Sequence, residues 1–61
     1  MEQVYRITIL TTGNVIEKDY YSREKAITTI EQVKESIEDF MIGILSRKIN
    51  GKWHIVYSIE K

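Results

Sequence analysis

Between Ser22 and Asp39 the apolar residues fall at Ala26, Ile30, Val33 and Ile37, with Phe40 following. Spacing of three and four places them on one stripe of a single amphipathic helix. Ser22 suits the N-cap, because its hydroxyl can accept from a free backbone N–H in the first turn. Tyr21 and Ala26 sit where a hydrophobic staple would close. The helix expected over 22–39 divides the chain into two strand-rich flanks, and Gly43 belongs to the second of them.

Val4 to Leu10 is dominated by β-branched and aromatic residues, with Tyr5, Ile7 and Ile9 on one face of a strand. Thr11-Thr12-Gly13-Asn14 supplies a turn, since Gly and Asn tolerate positive φ. Val15 to Tyr21 returns as a second strand. A two-residue and a four-residue loop give the same facing parity, with Ile16 and Tyr20 beside Tyr5, Ile7 and Ile9. In the four-residue register Arg6 lies opposite Asp19, a favourable cross-strand pair. After the helix, Met41 to Ile49 and Lys52 to Glu60 flank Asn50-Gly51, the strongest short hairpin signal. A type I′ turn there sets Ile42 against Ile59, Ile44 against Tyr57, Ser46 against Ile55 and Lys48 against Trp53. The face expected to meet the helix is then Ile42, Ile44, Trp53, Ile55, Tyr57 and Ile59.

Hairpin, helix and hairpin make a two-layer α+β domain spanning 1–61, one helix across a four-stranded sheet. Two strand orders compete. With the terminal strands paired in the centre, the layout is similar to the small β-grasp domains of immunoglobulin-binding proteins L and G. The first strand and the Trp53–Ile59 strand are the most apolar, which favours that order. A fully antiparallel arrangement is the alternative.

At 61 residues the chain is one domain. It buries only ~60% of the surface its unfolded form exposes, so a dimer or a partner that completes the core is a real option. The chain has no Cys, which removes disulfides, thiolate metal sites and Cys nucleophiles. Nine Lys/Arg balance nine Asp/Glu, so phosphate-driven nucleic-acid binding is not expected. No leader or membrane-length apolar run is read, and the expected location is the cytoplasm.

His54 is the single His. Ser58 and Glu60 on its strand face stand roughly 13 and 20 Å away, beyond hydrogen-bond reach. It reads as an exposed strand His with a partner contact as its role, not as a catalytic group. One His and no Cys leave only scattered carboxylates for a metal, so no metal, cofactor or enzymatic activity is expected. Glu24, Thr28, Glu31, Glu35 and Glu38 form a second stripe opposite the apolar one, and Asp39 adds a charge where the helix macrodipole disfavours it. That stripe is either a solvated face or an acidic docking strip for a basic protein. The outer sheet face is expected to carry Val4, Arg6, Thr8, Leu10, Glu17, Asp19, Leu45, Arg47, His54 and Val56. Its apolar members Leu10, Leu45 and Val56 read either as a partner or dimer interface or as scattered surface apolars. With the aromatic residues assigned to the helix side, the outer face lacks the stacking platform of an RNA-binding sheet.

Over its whole length the chain resembles the Dmd-type antitoxins of T-even-type coliphages. The resemblance rests on length, on the opening Met1-Glu2 with Val4, and on the closing apolar run, charged turn and strand. These last are Met41-Ile42-Gly43-Ile44-Leu45, Asn50-Gly51 and Ile55-Val56-Tyr57. It implies a protein that binds an endoribonuclease toxin of the RnlA/LsoA type in the host cytoplasm and blocks RNA access. From the charge pattern, Glu31, Glu35, Glu38 and Asp39 would stand in for phosphates in a basic RNase groove. Leu45, Arg47, His54 and Val56 are the second candidate contact set. The other reading is a homodimeric structural or regulatory module with weak nucleic-acid affinity through Arg6, Arg47, Lys48 and Lys52.

Overall fold

A capped helix and two tight turns set the course of the chain in the computed structural model, which describes residues 3–61. Met1 and Glu2, which contribute to the resemblance above, lie outside the described residues. Five elements follow in order: β1 (Tyr5–Thr11), β2 (Val15–Tyr20), α1 (Arg23–Ser36), β3 (Phe40–Ile49) and β4 (Lys52–Glu60). Ser22 is the N-cap, in extended conformation, and its Oγ accepts from the Lys25 N–H at 3.3 Å. The helix stops at Ser36, short of the expected Asp39, with Ile37 already extended and its N–H bonded to Val33 O. Phe40 therefore joins the core as the first residue of a strand instead of the last of the helical stripe, and is 1% exposed.

Both expected hairpins form. β1 and β2 take the four-residue register, Leu10 opposite Val15 and Arg6 opposite Asp19. Their turn does not use positive φ, which among the described residues occurs only at Asn50 and Gly51. It is held instead by Thr11, whose N–H and Oγ1 both donate to Asn14 O while Oγ1 accepts from Asn14 N–H at 3.0 Å. Asn50 at φ 51° and Gly51 at φ 79° have the two positive values that a type I′ turn requires.

The strand order is β2-β1-β3-β4 and every pairing is antiparallel. This corrects the preferred β-grasp-like order: β1 lies beside β3, not β4. The link from α1 is captured at once by the end of β1, where Thr12 N–H donates to Asp39 O at 3.2 Å and Thr11 lies opposite Phe40. Antiparallel pairing then runs down β3, which is slightly the better ladder per residue.

Gly43 decides which face of β3 meets the helix. A Cβ there would collide with Ile30 Cγ2 and come within 3.2 Å of Phe40 Cζ. Only glycine lets α1 approach this closely, so Gly43 and Leu45 face inward, and the parity is opposite to the expected one. Ile42 and Ile44 turn outward. On β4 the change of face occurs within the strand. Leu45 pairs with Tyr57 but Ser46 with Ile55, leaving Val56 as an extra residue in a bulge. Tyr57 and Ile59 therefore pack toward the core, as expected, while Trp53 and Ile55 face outward, contrary to expectation. A second irregularity, at Met41, lets Phe40 turn inward.

The core is Tyr5, Ile7, Ile9, Ala26, Ile30, Phe40 and Leu45, flanked by the half-buried Tyr20, Ile27, Val33, Ile37, Tyr57 and Ile59. The helix packs on β1, β2 and β3 and makes no comparable approach to β4.

Candidate partner-binding surfaces

Two surfaces stand on opposite sides of the two-layer body. The first is the solvent face of α1. Glu24, Thr28, Glu31 and Glu35 are exposed there, on the side away from the buried Ala26 and Ile30. Glu38 and Asp39 are exposed too, but in the link to β3, because the helix has ended. The expected strip is therefore split. Asp39 is engaged within the fold, its Oδ2 accepting from Thr12 Oγ1 at 3.1 Å. The backbone carbonyl of Glu38 accepts from Lys61 Nζ, which leaves its carboxylate in solvent. Among the described residues the ion pair is Arg6 with Asp19, so Glu31 and Glu35 are committed to no internal partner.

The second surface is the outer sheet face, and the registers define it row by row. Val15, Leu10, Ile42 and Glu60 form one row across the four strands; Glu17, Thr8, Ile44 and Ser58 the next; Asp19, Arg6, Ser46 and Ile55 a third. Lys48 beside Trp53 begins a fourth. Ser46 is small, and across it the Arg6 guanidinium reaches from β1 to β4, lying 4.3 Å from the Trp53 ring centroid. On its other side Arg6 makes a two-point contact with Asp19, 2.8 Å from Nε to Oδ1 and 3.2 Å from Nη2 to Oδ2. That hydrogen bonding, with the charges of Arg6 and Lys48, holds the Asp19 carboxyl below the usual carboxylate range. Trp53 is thus boxed by cations, Lys48 Nζ lying 5.8 Å from its ring.

The expected membership of this face needs correcting at three positions, for the parity reason given by Gly43. Leu45 is fully buried under the helix and offers nothing to a partner. Arg47 and His54 lie opposite one another on the helix side of the sheet, near Tyr5. Arg47 Nε is buried and has no hydrogen-bond partner among the described residues, whereas His54 is exposed. Val56 is exposed at its bulge. In place of Leu45 and Arg47 the face carries Ile42, Ile44, Lys48, Trp53 and Ile55. The aromatic assigned to the helix side is the one that the outer face holds. The signal for this was Gly43, the residue that marks where helix and strand come closest. The bulge at Val56 has no such marker.

Beyond these faces, Lys18, Asp19, Tyr20, Tyr21, Ser22 and Lys25 line an open hollow of about 440 Å³ where β2 meets α1. Lys18 leans over the Tyr20 ring at 5.4 Å. Among the described residues no three His, Asp or Glu side chains are placed to share a metal ion, and no helix is long and apolar enough to cross a membrane. Compared with known proteins, the chain matches no family model, no curated protein and no solved structure.

Proposed function

We propose that this chain is a small non-enzymatic binding protein that inhibits a basic partner by protein–protein contact. The partner that the sequence resemblance implies is a bacterial endoribonuclease toxin of the RnlA/LsoA type. The observation that carries the reading is the uncommitted acidic row on α1. Glu31 and Glu35 are one turn apart, so they repel one another at a cost of a few tenths of a kcal/mol. Neither is compensated by an ion pair within the described residues. A basic groove would turn that small cost into attraction and steer the encounter.

The test uses the purified toxin and this chain with Glu31, Glu35 and Glu38 each replaced by Lys. Binding is followed by calorimetry and inhibition by RNA cleavage. Affinity should fall about tenfold or more, and the wild-type affinity should drop as salt rises. An unchanged affinity sinks the acidic-strip reading.

The nucleic-acid alternative gains one observation, the meeting of Arg6, Lys48 and Trp53. Arg6 is nevertheless already paired with Asp19, and Arg47 lies on the other face. The cations assigned to that role are therefore not gathered on one surface.

A further inference from the structure

We infer that the end of the β3–β4 hairpin holds a phosphate site on its helix side, with a nucleoside monophosphate as its ligand. The ladder sets Arg47 opposite His54 and Ile49 opposite Lys52, and α1 makes no comparable approach to β4. Arg47, Lys52 and His54 therefore share one open face. Residues directly opposite stand about 5 Å apart and next-but-one residues about 6.6 Å, so the three side chains can converge on one group.

Their charge is uncompensated. No Asp or Glu occurs between Phe40 and Ile59. The ion pair among the described residues is Arg6 with Asp19, on the outer face. Arg47 carries the argument, since its Nε is buried and has no hydrogen-bond partner among the described residues. A buried charged donor left unpaired is costly. Its side chain breaks no Nε hydrogen bond in swinging outward, and an oxyanion that draws it out satisfies that donor. The guanidinium then offers Nε and one Nη as a two-point fork.

Charge and shape select the ligand. Arg47 and Lys52 carry two permanent positive charges, which a phosphate monoester, about −1.5 to −2 at neutral pH, balances. A carboxylate would leave one of them over. Further along the same face comes the half-buried Tyr57, which α1 does not cover. It lies roughly 10 Å from His54 along β4, a span that a ribose bridges between its phosphate and its base. A base laid on that ring adds stacking that a phosphorylated side chain cannot supply.

NMR titration of the full chain with inorganic phosphate, adenosine 5′-monophosphate and acetate tests the inference, read at the Arg47 Nε–H and the His54 and Tyr57 rings. The Arg47 signal should move and saturate with both phosphates, and adenosine 5′-monophosphate should bind about tenfold tighter through Tyr57. Acetate should not saturate it over the same range. Arg47→Lys, which keeps the charge and loses the fork, should weaken nucleotide binding about fivefold or more, read at the two rings. Lys52→Gln, at an exposed position, should do the same, while Lys48→Gln, on the outer face, should leave affinity unchanged. An Arg47 signal that does not saturate overturns the inference. So does equal affinity for acetate, or a Lys48→Gln loss as large as that of Lys52→Gln, which is the mark of diffuse charge. A nucleotide that binds no tighter than inorganic phosphate overturns the nucleotide as ligand. The charge-reversal test of α1 concerns other residues and a protein partner, so either reading can fail alone.

Discussion

At the scale of single residues, Gly43 has more influence on the surface chemistry than any charged group. Its missing side chain lets Ile30 and Phe40 close over β3, and that contact sends Leu45 inward and Ile42 and Ile44 outward. A methyl group added there must displace two core side chains that are themselves fully buried. Gly43→Ala is expected to lower stability by about 1–3 kcal/mol, the usual cost of overpacking a core. Gly13 is the matched control, having nothing within 4 Å of the site of its Cβ and no positive φ. Gly13→Ala should be neutral or stabilising by about 0.5 kcal/mol through the unfolded state. Urea midpoints of the two variants check this directly. Equal effects would mean that the close approach of α1 to β3 is not what orients the strand.

At the scale of elements, what could be read from the sequence was local. Ser22 marks the helix start because capping depends on one hydroxyl and one N–H. Asn50-Gly51 fixes the pairs nearest its turn, Lys48 with Trp53 and Ser46 with Ile55, because the turn type sets them before any tertiary contact. Past Ser46 the expected register fails by one residue, since the bulge at Val56 is demanded by packing and not by residue type. The helix end failed for a related reason: Phe40 is apolar at helical spacing, yet pairing with Thr11 buries it equally well from a strand. One consequence concerns the turn. Gly51 sits at φ 79° with open space around it, so a side chain there meets backbone strain and no clash. Gly51→Ala should cost about 1–2 kcal/mol. A melting curve unchanged from wild type would show that the hairpin can shift to another turn.

At the scale of the whole molecule, coverage is uneven, and strand order is the reason. The helix lies over β2, β1 and β3, so β1 and β3 are paired on both sides and buried on one face. Five of the seven core residues come from β1 and β3. By contrast β4 is bonded along one edge only, and its residues from Lys52 to Val56 are all exposed. Strand order was the least legible property, because it depends on long-range pairing between strands of similar polarity. Both orders satisfied the same periodicity, and the apolar β4 favoured the wrong one. The observed order makes a dynamic prediction that the β-grasp order would reverse. Opening β4 disturbs one ladder and little buried surface, so it should occur well below the free energy of global unfolding. Amide hydrogen exchange, read residue by residue in dilute protein, should give β1 and the β1-bonded amides of β3 the slowest rates. The β4 amides bonded to β3 should exchange at least tenfold faster, through local opening. With β4 in the centre of the sheet, its amides would instead be among the slowest, and finding them so would reject this topology.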